Sequence, residues 1–329
     1  MGELTMDDGI NDLQSQVANL KDQLERGEVF QSLGSRIKTI LEGISYHSAT
    51  PVKMPSRSDG VIELSESLED QMQAETLTGI SDEAILKLMQ HLGSPNPDVR
   101  DSRIYFFFND ALQMHLLDSE QLRLMVNYLL DPRVIYSHVL EEENDAVFKR
   151  SYDVLLLSVL TYADRSGYDF LDDETVDRIV IETITYALAE KDTRGFVGNR
   201  GWAHTFSHIP NLMDDLSKRP ELPRADKLLM MAAFIERYKT LTTPLIFGES
   251  ERIAGYLANL ANKNSLYEDY LLVALKEWRL ELTDRNKPTT EGAWNQIFNR
   301  SRLMSAMMLR HDFSDRVQRY LNSVIDFLA

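Results

Sequence analysis

The sequence predicts an all-α protein: an α-α superhelix of stacked helical hairpins, like those of HEAT and armadillo proteins, preceded by an N-terminal helical arm. Apolar residues recur every three to four positions through most of the 329 residues, and no segment shows the apolar–polar alternation of a half-buried strand. Helices of roughly 12–18 residues follow one another in pairs through short connectors, which favours stacked hairpins. No strict repeat of about 40–47 residues accompanies them, so the subtype rests on the pairing alone.

The arm is predicted over residues 1–45. Two blocks with a 3–4 apolar spacing, out of phase with each other, make it up: Ile10, Leu13, Val17, Leu20 and Leu24, then Phe30, Leu33, Ile37, Ile40 and Ile44. Each block is about two heptads long, shorter than the three to four that typify a coiled coil. We therefore favour docking of the arm on its own domain over a zipper, and we expect a monomer or a dimer through the arm.

Residues 46–79 are predicted to be an acidic, flexible linker. The stretch His47–Gly60 is rich in proline, serine and glycine, and Ser58–Leu86 carries eight acidic residues but no lysine or arginine. Like charges and low hydrophobicity oppose ordered packing. We expect a solvated tether.

Residues 80–329 are predicted to form the α-helical repeat-like domain. Oxygen-bearing side chains stand at several predicted helix starts, where they can accept from unpaired N–H groups, as in Asp118-x-x-Gln121, Asp172-x-x-Thr175 and Asn264. The predicted helices are Ala84–Leu92, Ser102–Leu117, Ser119–Leu130, Ala146–Tyr162, Glu174–Leu188, Trp202–Leu216, Lys227–Leu241, Ile253–Leu260, Leu266–Leu282, Ala293–Leu309 and Val317–Leu328.

Composition excludes several classes of function. The net charge of −17 disfavours nucleic acid and anionic membrane surfaces as partners. The absence of cysteine removes disulfides, thiolate metal sites and cysteine catalysis. The first sixteen residues lack the basic and apolar regions of a secretory signal, and no apolar run approaches the ~18 residues of a membrane span. We expect a cytoplasmic protein.

The stretch Asp192–His208 is the most site-like part of the chain. Glycines at 195, 198 and 201 loosen a connection that carries Arg194 and Arg200, and the next helix is expected to begin near Trp202. The unpaired N–H groups of a helix start favour a carboxylate or phosphate, which makes Asp192, Arg194, Gly195, Arg200 and Trp202 candidate ligand-binding residues. Neither a P-loop nor a dinucleotide fingerprint is present. A plain connecting loop with Asp192 and Arg194 paired locally is the alternative.

His204 and His208 are the candidate catalytic residues. A spacing of four places them on one helical face, where they can act as a general base or hold a metal. The zincin motif needs glutamate after the first histidine, but Thr205 stands there, and no third ligand is identifiable. We therefore predict no metal site, with these two histidines as the residual candidates. Pro210 is expected to kink the helix.

A second polar cluster, Asp145–Ser151, opens an otherwise apolar helix. Asp145 fits a helix cap, whereas Lys149 and Arg150 stand among apolar neighbours. We add this basic pair to the candidate ligand-binding residues, as groups able to reach Asp192 or the Gly195 loop. The turn at Leu92–Asp101 is interpreted as structural.

Four motifs in order carry a family resemblance. They are LGSPxPxxRD at Leu92–Asp101, DxVFKRS at Asp145–Ser151, ExDxRGxV at Glu190–Val197 and GWAHxxxH at Gly201–His208. Together they resemble an uncharacterised, all-helical bacterial family known only as a domain of unknown function, over roughly Ile85–Trp278. The resemblance implies no established activity, substrate or cofactor.

The chain departs from this pattern at one position. The family prefers aspartate three residues after the second histidine, where this chain has Asn211. A carboxylate that ligates metal or orients a histidine would be lost there.

Two functional hypotheses follow. The first is a ligand- or protein-binding module with a pocket at Asp192–His208, for a small anionic ligand or a peptide. The alternative is a hydrolase-type enzyme that uses His204 and His208 as base or metal ligands beside Arg194 and Lys149. The cofactor is unknown. Convergence of four side chains within a few ångströms in one concave pocket would favour the enzyme or a small-ligand site: His204, His208, Arg194 and Arg150.

Overall fold

The computed structural model describes residues 8–56, 58–283 and 288–324. Within these ranges the chain forms fifteen α-helices and no β-strand, with two isolated β-bridges. The all-α prediction is confirmed. Residues 1–7, at the start of the predicted arm, and residues 325–328, at the end of the last predicted helix, lie outside the described residues.

The helices follow the predicted spacing closely. Asp118 and Gln121 form the expected capping box at the start of α6, and Asp172 caps α9. The bounds are α1 Asp8–Glu25, α2 Leu33–Gly43, α3 Val61–Gln73, α4 Asp82–Gln90, α5 Phe106–Gln113, α6 Ser119–Leu129, α7 Pro132–Ile135, α8 Val147–Ala163, α9 Asp173–Ala189, α10 Thr205–Ser217, α11 Arg224–Thr240, α12 Glu249–Ala261, α13 Ser265–Thr283, α14 Glu291–Leu309 and α15 Asp315–Ser323.

Alternate helices stack into two layers. One layer runs α4, α6, α8, α10, α12, α14, each packed on the next, and the other runs α9, α11, α13, α15. The layers face each other across a continuous apolar core, because each helix buries one stripe of its surface. This is a superhelical arrangement of helix pairs, as predicted; the HEAT or armadillo subtype stays a prediction.

The arm helix α1 packs against α9 and α11, and α2 also packs on α11. All five apolar residues of the first predicted block are buried in this contact: Ile10, Leu13, Val17, Leu20 and Leu24. Burying side chains of this size contributes about 1.5–3 kcal/mol each. The 3–4 stripe of α1 is therefore occupied within the chain, while the oligomeric state stays a prediction.

The range predicted as a flexible linker contains an ordered helix. Helix α3 buries Val61 and Leu68, and Asp59 just before it contacts His91 with Oδ2–Nε2 at 2.8 Å. Further upstream, His47 forms an isolated parallel bridge with Glu141. The negative charge of α3 stays outside because its few apolar residues share one face. The division into arm, linker and domain remains a prediction.

No described helix is both long enough and apolar enough to cross a membrane. A cytoplasmic location stays a prediction.

Candidate functional site

The connection between α9 and α10 is a small hairpin. Phe196 and Trp202 form an antiparallel bridge, flanked by hydrogen bonds from Val197 N to Gly201 O and from Ala203 N to Gly195 O, both 2.8 Å. The backbone of Gly201 has a φ of +73°, which glycine adopts without strain. The glycines thus build a tight turn rather than an open phosphate-binding loop.

Helix α10 begins at Thr205, three residues after the predicted start near Trp202. His204 stands just before the helix with a φ of +62°, a conformation uncommon for a residue with a side chain. The helix continues through Pro210 without ending there.

A cavity of about 620 Å³ lies beside this hairpin, and we call it the loop cavity. It opens where the carboxyl ends of α9 and α11 meet the segments that precede α8, α10 and α12. Its lining is Tyr46, Glu142, Glu143, Arg150, Lys191, Asp192, Thr193, Arg194, Gly195, Phe196, Val197, Arg237, Thr240, Leu241, Thr242, Thr243, Pro244, Ile246 and Phe247. A cavity of this size suits a small ligand.

Arg194 and Asp192 lie in the lining but are paired with each other. Arg194 Nη2 lies 2.6 Å from Asp192 Oδ2, and Arg194 Nη1 lies 3.3 Å from Glu143 Oε1. Arg194 also donates to the carbonyl of Asn144. The positive charge of Arg194 is therefore already neutralised. This local pairing is the one expected if the stretch is a plain connecting loop.

Arg150 and Lys149 point in different directions although they are adjacent. Arg150 is buried in an ion pair with Glu190, whereas Lys149 Nζ bonds the hydroxyl of Tyr128 at 3.1 Å and lies 3.5 Å from Asp153. Successive residues of a helix are separated by about 100°. Lys149 therefore does not line the loop cavity, and Arg150 lines it as part of a neutral pair.

Arg200 forms an ion pair with Asp145, so Asp145 binds the hairpin instead of capping α8. The carbonyl of Arg200 accepts from Arg100 Nη2 at 3.0 Å, and Arg100 is completely buried. The predicted turn at Leu92–Asp101 thus braces the hairpin from the far side. Trp202 is half-exposed and stacks on His204, with ring centroids 4.5 Å apart.

The two histidines lie close together but outside the cavity lining. Their ring centroids are 6.1 Å apart. His208 is buried, and its Nδ1 lies 2.8 Å from the hydroxyl and 3.0 Å from the carbonyl of Ser151. Burial, with a smaller effect from nearby positive charges, lowers the pKa of His208 to about 3. His208 is therefore neutral near pH 7.

His204 contacts the segment between α11 and α12. Its Nε2 donates to the carbonyl of Phe247 at 3.0 Å and lies 3.4 Å from Glu249 Oε1. Glu249 is almost fully buried, and its other oxygen accepts from Phe247 N at 2.7 Å. His204 and Glu249 together hold the backbone of Phe247 on both sides.

Two cations of the cavity form no ion pair within the described part of the chain. Among the described residues, neither Lys191 nor Arg237 has a carboxylate within 4.0 Å of its charged nitrogens. Both pack on the ring of Tyr46: Lys191 Nζ lies 3.8 Å from the ring centroid, and Arg237 Cζ lies 6.0 Å from it. Sequence reasoning missed both: Lys191 stood in a motif but was not singled out, and Arg237 lay unremarked in an apolar helix.

No group of three or more histidine, aspartate or glutamate side chains in the described ranges is arranged to hold a metal ion.

A family model described as "Protein of unknown function (DUF2785)" matches residues 135–309, slightly more than half of the chain. The protein belongs to this family. No match was found among the curated proteins or among the solved structures.

The DUF2785 region contains the hairpin, both histidines and most of the loop cavity. Lys191 and Arg237 lie within it, while Tyr46 and the arm helix α1 lie outside. The ring that carries both unpaired cations therefore comes from the part of the chain that precedes the family region.

Proposed function

We propose that this DUF2785 protein is a binding module whose site for a small anionic ligand is the loop cavity. The observation that carries the proposal is that Lys191 and Arg237 form no ion pair among the described residues, whereas the other arginines of the cavity are each paired with a carboxylate. A buried charge without a partner is costly, and a bound anion removes that cost.

Arg237 is the better placed of the two cations. It is only 5% exposed; it donates to Tyr46 Oη and to the carbonyl of Leu188, and its Nη1 lies 3.2 Å from Thr240 Oγ1. These acceptors are uncharged, and Nε has no hydrogen-bond partner among the described residues. No described carboxylate forms an ion pair with this guanidinium, and an anion bound in the cavity would supply the missing negative charge.

Lys191 supplies the second positive charge at the same ring. Burial lowers the pKa of its ammonium below the usual value; the negative charge of Glu142 opposes this shift, and the positive charge of Arg237 adds to it. An anion bound between the two side chains would reverse this effect. In the same lining the hydroxyl of Thr193 donates to Thr243 Oγ1 at 2.6 Å, which leaves the O–H of Thr243 as a further donor.

The net charge of the protein opposes the binding of anions outside such a site. With a net charge of −17, most of the surface repels anions. An anion is therefore held by local hydrogen bonds in the cavity and not by the overall field.

A histidine-based hydrolase is the second candidate. It is favoured by Glu249 Oε1, which is buried without a hydrogen-bond partner in the described structure and lies 3.4 Å from His204 Nε2. A carboxylate in this position can orient a histidine base. We place this candidate second because neither histidine lines the cavity and His208 is already bonded to Ser151.

Thermal-shift titration with phosphate, acetate and succinate tests the anion site. We expect the wild-type melting temperature to rise with each anion that binds the native state. Phosphate also stabilises proteins without binding, so the measurement is the difference between the wild type and Lys191→Ala. Loss of one charge-assisted hydrogen bond should weaken binding about tenfold or more.

Arg237→Gln should have the same effect, while Arg133→Ala, an exposed arginine paired with Asp131, should leave the response unchanged. Identical anion responses in the wild type and Lys191→Ala would overturn the proposal. Because Lys191 is only half-buried, that variant keeps the test valid if Arg237→Gln does not fold.

A further inference from the structure

The lining of the loop cavity combines charged side chains with large apolar ones. Three large apolar side chains of its lining are exposed by 40–55%: Phe196 by 51%, Ile246 by 55% and Phe247 by 41%. They come from two separate segments, the hairpin and the connection between α11 and α12. Single exposed apolar residues are ordinary on protein surfaces, but three that converge on one cavity mark a binding surface.

Phe247 is held in place despite its exposure. Its backbone is bonded on both sides, by His204 to the carbonyl and by Glu249 to the N–H. Its ring lies on the backbone of Gly195, where a Cβ atom would approach Phe247 Cγ to 2.7 Å. The two backbone hydrogen bonds and the contact with Gly195 therefore place the ring at the cavity, where it stays 41% exposed.

Trp202 packs against both phenylalanine rings, Phe196 and Phe247. Its ring meets Phe196 edge-on at 5.1 Å and Phe247 edge-on at 5.6 Å, and its other contact is the stack on His204. Trp202 itself is not part of the cavity lining. Phe196, Ile246 and Phe247 form what we call the apolar rim of the cavity. Because its aromatic side chains are already held in place, the rim can bind an apolar group without the entropic cost of ordering them.

We infer that the ligand of the loop cavity is amphipathic: a small acid with one anionic head at Lys191 and Arg237 and an apolar tail on Phe196, Ile246 and Phe247. The inference rests on the proposed anion site and adds the class of molecule. The positive charges of Lys191 and Arg237 require an anionic head group, and the exposed apolar side chains favour an apolar tail. Under this inference Gly195, Trp202 and His204 are positioning residues: they hold Phe196 and Phe247 in place and do not bind the ligand.

Calorimetric titration with acetate, butanoate, hexanoate and octanoate below micellar concentration tests the inference. Affinity should rise about fourfold for each added methylene while the chain remains on the rim, as expected for the burial of a CH₂ group. Octanol, which has the tail without the head, should bind at least tenfold more weakly than octanoate.

Two sets of variants separate the head from the tail. Phe196→Ser and Ile246→Ser, both at exposed positions, should flatten the dependence on chain length and leave acetate binding intact. Lys191→Ala should weaken all four acids by a similar factor.

Acetate binding with no dependence on chain length would overturn the amphipathic ligand and keep the anion site. Failure of every acid and of phosphate to bind would overturn the anion site itself. Octanol binding as tightly as octanoate, or binding to vesicles of anionic phospholipid in the absence of octanoate binding, would also overturn the inference.

Discussion

Arg150 and Glu190 form an ion pair in the protein interior, with Arg150 Nε 2.8 Å from Glu190 Oε2 and neither residue more than 2% exposed. Burial alone would raise the pKa of Glu190, but the positive charge of Arg150 holds it below its usual range. Glu190 Oε1 also accepts from the N–H groups of Lys191 and Asp192. The pair thus joins the start of α8 to the end of α9 and directs the chain into the hairpin.

Replacing Arg150 with methionine should destabilise the fold by about 3–5 kcal/mol, because it leaves the carboxylate of Glu190 buried without its counter-charge. Urea unfolding at pH 7 measures the loss. Arg150→Met combined with Glu190→Gln should lose less than Arg150→Met alone. If Arg150→Met instead keeps wild-type stability and loses anion binding, Arg150 is a ligand residue, as the sequence suggested.

Gly195→Ala should cost about 1–3 kcal/mol through overpacking, because the added methyl group meets the ring of Phe247. Combining it with Phe247→Ala should relieve that part of the loss. Gly43→Ala is the matched control, since nothing lies within 4 Å of a Cβ atom there. Thermal unfolding compares the variants, and equal effects of the two alanine substitutions would contradict the close packing.

His208 should make the protein less stable in acid. Its pKa is about 3 in the folded chain and about 6.5 when unfolded, so the unfolded state binds the extra proton between these values. Stability should fall as the pH falls below 6.5, by about 2 kcal/mol at pH 5. His208→Asn, which keeps a donor near Nδ1, should remove this slope.

Asp153 has the opposite effect on folding stability as the pH falls. Burial raises its pKa to about 7, so its protonation favours the folded state as the pH falls from 7 towards 4. The quantity to measure is therefore the difference between wild type and His208→Asn in urea unfolding at several pH values. A difference that does not vary with pH would contradict the buried, neutral histidine.

Leu13→Ala in the arm should destabilise the whole chain by about 2–5 kcal/mol, because this side chain is 2% exposed where α1 packs on α9 and α11. Asn11→Ala, at an exposed position of the same helix, should change little. The loss should be the same at low and high protein concentration. A loss that grows on dilution would show instead that the arm packs on a second copy.

The helices were predictable because periodicity and caps are local properties of the chain. The start of α6 at Ser119 follows directly from the capping pair Asp118 and Gln121. Helix α3 was not foreseen, because its sequence is acidic and its two buried apolar residues, Val61 and Leu68, gain their partners only from the fold. The hairpin was missed for the same reason: the pairing of Phe196 with Trp202 is formed across a turn.

The stretch that we propose as part of the site stood out in the sequence, but the pairing of its charged residues did not. Glycine and arginine content singled out Asp192–His208, and residues 192–197 of this stretch line the loop cavity, whereas both histidines lie outside it. Sequence shows that a residue carries a charge but not whether an opposite charge is near it. Arg194 and Arg150 were therefore chosen although both are paired, and Arg237 was overlooked although it is not.

The stacking of α8, α10 and α12 in one layer has a consequence for how this site can change. Their amino ends lie at one edge, so the cavity is walled by three connecting segments that lie outside the packed layers. A substitution such as one at Ile246 alters what the cavity accepts without disturbing the apolar contacts between helices. Under the proposed function, relatives that share this scaffold can diverge in ligand preference through exposed positions of these connections, such as Ile246, without a change in how the helices pack.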